Sequence, residues 1–330
     1  MSKFRANKSY TERRDHCQEV TDRIVAALES GTKPWQRPWD QALAGGPAMP
    51  INAATGKRYH GINVLVLAMS AFAFGNGDPR FCSYKQANDR GWQVRRGEKG
   101  TTVFFFKRLE VVDSDASPDA EDGRKSFPLL RSYTVFNGAQ LDGIPPYVAP
   151  ELVATPWRRP EAAELILQNS GAHVRIGGDK AFYSPSLDFI QIPADNSFIS
   201  PQSWASVMLH ELAHWSGAPN RLNREIKNRF GSDKYALEEL RAELASVFIG
   251  AELGLPCDIP NHASYVASWI DTLRQDEREI FRAAADAQRI ADLLLSFHPD
   301  YAAQNGTAPG TDDETSAPLP EDSGAVTTAA

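Results

Sequence analysis

The sequence predicts an α+β protein of two domains, and three observations carry that prediction. Charge is divided: residues 1–110 hold 18 Lys and Arg against 10 Asp and Glu, leaving 17 of the chain's 35 basic groups and 32 of its 42 acidic ones to the other 220 residues. The first stretch therefore carries +8 and the rest −15. Secondary-structure signals change in the same direction, from short helices mixed with β-rich runs to a small hairpin followed by long helices. Between them lies a proline-rich stretch, from Gly143-Ile-Pro-Pro146 to Pro160. With 330 residues and 42 % apolar content the chain can fill two ordinary cores. The expected boundaries are 1–146, 147–300 and a tail at 301–330.

Taken in order, Thr11 to Leu28 reads as a helix, because Val20, Ile24, Ala27 and Leu28 recur at helical spacing and Gly31 follows as a stop. The Gly- and Pro-rich stretch up to Asn52 reads as irregular. A mostly apolar helix is expected over Gly61 to Phe74 and a short one over Ser83 to Gly91. Trp92-Gln93-Val94 and the basic turn Arg95-Arg96-Gly97-Glu98-Lys99-Gly100 lead into a strand at Thr101 to Phe106 that continues to Val112. Residues 113–126 are too acidic and too poor in apolar side chains to pack, so they read as a disordered loop inside one sheet, which resumes at Leu129 to Phe136. Beyond Glu161 come a helix, a hairpin drawn from 174–176, 181–184 and 189–192, and several long helices. The tail from Ala302 holds five acidic and no basic residues and reads as disordered.

Composition excludes several classes. No run of eighteen apolar residues exists and no cleavage pattern flanks the greasy stretch from Ile62 to Phe74, so no membrane contact is expected and the cytoplasm is the default expectation. Cys17, Cys82 and Cys257 lie far apart, which argues against both a disulfide framework and a cysteine-ligated metal.

The strongest chemical signal is His210-Glu211-Leu212-Ala213-His214. Four residues apart on a helix, the two imidazoles share a face and can bind one Zn²⁺, with Mn²⁺ the alternative, while Glu211 serves as general acid/base for the attacking water. A catalytic zinc wants a third protein ligand. The segment Tyr235 to Phe248 offers Glu238, Glu239 and Glu243 beside an apolar face. We assign Glu239 as the ligand and Glu243 as the group that accepts the outer N–H of a ligating histidine; Glu238 or Glu243 as the ligand stays open. Asp188 to Pro193 is the expected substrate-binding strand edge, and Tyr183, Tyr235 and His262 are conceivable oxyanion donors.

Single-stranded nucleic acid is held by cations that follow the backbone and aromatic rings on which bases stack. The basic half interleaves the two. Lys33, Trp35, Arg37 and Trp39 share one loop; Arg58 and Tyr59 another; Tyr84 and Lys85 lead towards Arg95, Arg96 and Lys99. These eleven residues are the expected DNA-binding set.

Several motifs resemble the ArdC antirestriction family over roughly residues 15 to 300: Lys33-Pro-Trp35, Asn52-x-x-Thr55-Gly56, Tyr59-x-Gly61-Ile-Asn63, Tyr84-Lys-Gln86, Gly97-Glu-Lys-Gly100, Phe136-Asn137-x-x-Gln140, His210 to Gly217, Arg221-Leu-Asn223 and Tyr235-Ala-x-Glu-Glu239. The resemblance implies a domain that binds single-stranded DNA joined to a zincin-like metallopeptidase domain of gluzincin type, carried on mobile elements and protecting incoming DNA from host restriction. It leaves the protein substrate unnamed, a host restriction component among the possibilities, and an alternative is a DNA-coating protein whose zinc is only structural.

Overall fold

The computed structural model describes residues 15–35, 49–70, 78–112, 124–148, 161–226, 232–255 and 263–305. The first domain begins with α1 (His16–Glu29), which starts where the Asp15 carboxylate accepts the N–H groups of Cys17 and Gln18, and which buries Val20, Ile24, Val25 and Leu28 on one stripe. A four-stranded sheet follows in the order β1 (Ile51–Asn52), β2 (Arg80–Ser83), β5 (Arg124–Asn137), β4 (Thr101–Val112). Helix α2 (Ile62–Ala68) packs on β4, fastened by Asn63, whose amide both donates to the Phe104 carbonyl at 2.7 Å and accepts from its N–H at 2.8 Å. Helix α3 (Tyr84–Asp89) opens with a capping box between Ser83 and Gln86. A two-stranded ladder of β3 (Gln93–Val94) and β6 (Leu141–Asp142) lies beside it.

Three boundaries differ from expectation. Helix α2 ends at Ala68, and residues 71–77 of the expected helix lie outside the described residues. The loop read as 113–126 is shorter at its far end, since Arg124, Lys125 and Ser126 pair with Val112, Val111 and Glu110 in β5; residues 113–123 lie outside the described residues. Asn52 belongs to β1, a strand too short to leave a period-2 pattern.

The second domain runs α4 (Glu161–Ser170), β7 (Val174–Ile176), β8 (Phe182–Ser184), β9 (Phe189–Ile192), α5 (Pro201–Trp215), α6 (Asp233–Leu253), α7 (Ala263–Gln275), α8 (Glu279–Leu295) and α9 (Pro299–Asn305). Strand β9 is central in the order β7-β9-β8: it pairs parallel with β7 and antiparallel with β8. Only β8 and β9 form a hairpin, so the expected strand edge at 188–193 is corrected. With both sides of β9 paired, the edge facing α5 is β8. Helix α9 likewise extends into the stretch read as tail, and the Tyr301 hydroxyl donates to the Glu252 carbonyl at 3.1 Å.

The main apolar core runs through both domains. Helix α1 packs on α7 and α2 on α8. Phe104 of β4 meets Phe281 of α8 edge to face at 5.3 Å, and Trp35 leans on the fully buried Trp269 of α7. Trp269 in turn donates its indole N–H to the Ala236 carbonyl of α6. The two halves thus share one core.

Candidate functional site

Helix α5 is built to be buried. Ser200 caps it, Pro201 starts it, and Trp204, Met208, Leu209 and Leu212 close the core on its inner side. That burial drives the polar face, His210, Glu211 and His214, against α6. The three atoms that matter form a triangle: His210 Nε2 to His214 Nε2 is 3.2 Å, His210 Nε2 to Glu239 Oε2 is 3.4 Å, and His214 Nε2 to Glu239 Oε1 is 3.6 Å. Ligands of a tetrahedral zinc at about 2.0–2.1 Å from the metal lie roughly 3.3 Å from one another. The donor set therefore has the size of one face of such a tetrahedron. Two imidazole nitrogens facing each other at this distance repel unless a cation or a proton lies between them, so residues and geometry both fit a divalent ion.

The carboxylates divide their roles differently from expectation. His214 Nδ1 lies 3.4 Å from Glu238 Oε1, not near Glu243. Glu238 is thus the group that faces the outer nitrogen of His214, which corrects the role given to Glu243. Glu243 Oε1 instead receives Lys33 Nζ at 3.1 Å and Trp35 Nε1 at 3.4 Å. Glu239 and Glu243 do share a side of α6, but one turn of helix carries the second away from the triangle and towards the first domain.

Burial pulls the His214 imidazolium down, yet the Glu239 and Glu238 carboxylates outweigh it and hold its pKa at about 10. Burial would raise Glu239, but His214 and His210 keep it far below the usual carboxylate range. Glu211 moves the other way: desolvation raises its pKa against the pull of both histidines, and its carboxylate accepts the Tyr183 backbone N–H. Tyr235 reaches the cluster through a hydrogen bond to Glu239. The Tyr183 hydroxyl does not, because it donates to Asp188 at 2.8 Å and faces Arg221 at 3.2 Å. His262 lies outside the described residues.

With this geometry in view, the relatives decide the family. A model described as a zincin-like metallopeptidase matches residues 161–286, and one described as the N-terminal domain of anti-restriction factor ArdC matches residues 14–136. The crystal structure of the antirestriction ArdC protein from the R388 plasmid, in its metal-free form, is 37 % identical with a TM-score of 0.72, covering 88 % of this chain and 99 % of that one. The chain belongs to the ArdC antirestriction family. The Mn(II)-bound structure of the same ArdC protein aligns at 36 % identity and a TM-score of 0.70, over 86 % of this chain and 98 % of that one. An uncharacterised protein of Sinorhizobium fredii, y4eC, is 41 % identical over 87 % of this chain and 93 % of its own length. DNA primase TraC of Escherichia coli is 44 % identical over 85 % of this chain, which spans only 27 % of that relative.

In this ArdC-family chain the expected DNA-binding set separates into two groups. Lys33 and Trp35 are engaged on Glu243. Tyr59 is buried, with its hydroxyl on the Phe81 carbonyl at 3.3 Å, and burial pushes its pKa far up. Arg58 forms an ion pair with Glu252 at 2.8 Å and lies over the Tyr301 ring. Lys33, Trp35 and Arg58 thus fasten the domains together and Tyr59 packs inside the first one, which corrects the placing of all four on an open surface. Burial holds the Glu252 carboxyl up at about 7 despite Arg58. Tyr84, Lys85, Arg95, Arg96 and Lys99 remain exposed, and Tyr84, Arg95 and Arg96 line one groove of about 750 Å³ with Gln93 and Phe136. Arg37 and Trp39 lie outside the described residues.

Two arginines at the site escaped sequence reasoning. Arg221, in a motif noted without a role, clasps Asp188 and the Tyr183 hydroxyl. Arg224 reaches Glu238. No helical or alternating spacing marks either one; only the fold of the loop after α5 brings them in.

Proposed function

We propose that this chain protects incoming mobile-element DNA from restriction by binding single-stranded DNA and carrying a metal-dependent peptidase site. The observation that carries the reading is the triangle of His210, His214 and Glu239 with buried Glu211 beside it and the β8 edge across from it. A divalent cation held there, Zn²⁺ or Mn²⁺, would supply Lewis acidity towards a peptide carbonyl. The Mn(II)-bound ArdC relative supports that assignment.

The chain's own residues do the rest. Glu211 is desolvated, so its carboxylate is more basic than in water and takes the proton of the attacking water, then returns it to the leaving amine. The Tyr183 N–H holds that carboxylate in place, and β8, an edge strand among the described residues, is the strand beside which an extended peptide would lie. Tyr235, bonded to Glu239, is the hydroxyl that lies closest to a supporting role.

On the other domain, the groove sets the exposed Tyr84 ring beside Arg96, while Arg95 pairs with Glu98 and Asp142 in its wall; a ring beside an open cation is the combination that holds single strands without reading sequence. Relation to a DNA primase agrees with nucleic acid as the ligand. Glu211→Gln tests the whole reading. It should keep fold, metal content and DNA affinity while cutting hydrolysis by about 10²–10⁴ and abolishing protection of unmodified DNA in recipient cells. Full protection by Glu211→Gln would instead favour coating of the DNA.

A further inference from the structure

The loop between α5 and α6 does more than connect them. Arg224, whose side chain is only 10 % exposed, places its guanidinium against four groups: Glu238 Oε1 at 2.7 Å, Glu238 Oε2 at 3.3 Å, the Ala213 carbonyl at 2.7 Å and Ser216 Oγ at 2.9 Å. Two of these belong to the end of the motif helix and two to the carboxylate that faces His214. The backbone is shaped for this reach. Asn223 adopts φ +49, in the left-handed region, and the Arg224 N–H bonds back to the Gly217 carbonyl at 2.9 Å. Gly217 leaves room for this reach, because a Cβ there would stand 2.5 Å from Ile226 and 3.0 Å from the Arg224 guanidinium, and those side chains would have to shift.

We infer that Arg224 is a positioning residue for the metal centre, acting through Glu238 to fix the ring orientation and tautomer of His214. The inference rests on the reading of His210, His214 and Glu239 as metal ligands. His214 turns Nε2 towards the other two donors, so Nδ1 carries the proton and donates it to Glu238. A lone glutamate could swing away from that N–H. The Arg224 fork holds both of its oxygens, while the same guanidinium grips the helix that carries His214. A change of either partner would therefore loosen the ring and not merely remove a charge.

The test uses the full chain and Zn²⁺ itself, titrated against a chromophoric chelator, with wild type, Arg224→Gln, Arg224→Lys, Glu238→Gln and the Arg224→Gln/Glu238→Gln double variant. Arg224→Gln should weaken Zn²⁺ binding about 10- to 100-fold, the range that such outer partners command. Arg224→Lys, which keeps the charge but not the fork, should fall between it and wild type and also covers the case in which the glutamine variant fails to fold. The double variant should be no weaker than the worse single, since both residues act along one path. In the Zn²⁺-loaded wild type an imidazole N–H signal protected from exchange should appear, and it should sharpen its dependence on Arg224 by broadening in both Arg224 variants. A Zn²⁺ affinity within twofold of wild type for Arg224→Gln, or for Arg224→Lys where the glutamine variant does not fold, would overturn the inference and leave the metal site intact. So would losses that multiply in the double variant. A wild-type protein that binds no Zn²⁺ would overturn the metal reading as well.

Discussion

The cluster between α5 and α6 and the groove beside α3 are both dense in charge, and they are built on opposite plans. In the cluster His210, Glu211, Glu238, Glu239 and Glu243 are all less than a tenth exposed, and named partners close the carboxylates: Glu211 on the Tyr183 N–H, Glu239 between two histidines, Glu238 between His214 and Arg224, Glu243 on Lys33 and Trp35. In the groove Tyr84 is 55 % exposed and Arg96 stands open to solvent. A buried charge must be closed by its neighbours or it costs several kcal/mol, so the cluster is geometrically rigid and every substitution in it propagates. An exposed cation is held by water and can wait for a ligand. The difference teaches where to look for chemistry and where to look for a polyanion.

The comparison breaks most completely at the triangle. His210→Ala should abolish stoichiometric binding of Zn²⁺ or Mn²⁺, measured by elemental analysis of the dialysed protein, and should remove the rise in melting temperature that added metal gives the wild type, an effect of about 4 kcal/mol at a thousandfold excess over Kd. Retention of metal would mean the three donors do not form the site.

Next in size is Lys33→Met. It removes the ammonium from Glu243, whose side chain is 1 % exposed, and should lower unfolding free energy in urea by about 2–4 kcal/mol. Its effect on the salt dependence of DNA binding should be small, because Lys33 faces the other domain. A steep loss of DNA affinity with unchanged stability would return Lys33 to the DNA-binding set.

The smallest effect on stability should come from Arg96→Ala combined with Lys99→Ala, within about 0.5 kcal/mol of wild type. The same pair should flatten the dependence of single-stranded DNA affinity on salt, lowering the log–log slope by about 1.4 for two phosphate contacts. An unchanged slope would remove these residues from the path of the strand.

How far the sequence could be read follows from the kind of signal each residue leaves. His210 and His214 stand four residues apart on one helix with Glu211 between them, so spacing alone aligns them, and Glu239 could be found because the α6 segment clusters its carboxylates beside an apolar face. Glu238 took the role assigned to Glu243 because the two, five positions apart on α6, point about 140° apart, and periodicity cannot say which direction meets His214 once α5 has taken its crossing angle. For the basic residues the difficulty was of another kind. Lys33, Trp35 and Arg58 have the composition of a DNA surface and the position of a domain contact, Tyr59 that of a core residue of the first domain, and only long-range packing on Glu243, Glu252, Trp269 and Phe81 reveals it. Strand β9 was misread as an edge for the same reason: pairing with β7 in parallel requires a crossover that no local pattern announces.

The core that passes from α1 and α2 into α7 and α8 has a thermodynamic consequence. Segments that share buried apolar surface lose it together, so the halves should melt in one cooperative transition with a calorimetric enthalpy that matches the whole chain. A protease cut between residues 148 and 161 should leave two fragments that still elute as one particle. Neither fragment, produced alone, should stay in solution as readily as the pair, because Phe104 and Phe281 would each present to water the face it now gives to the other.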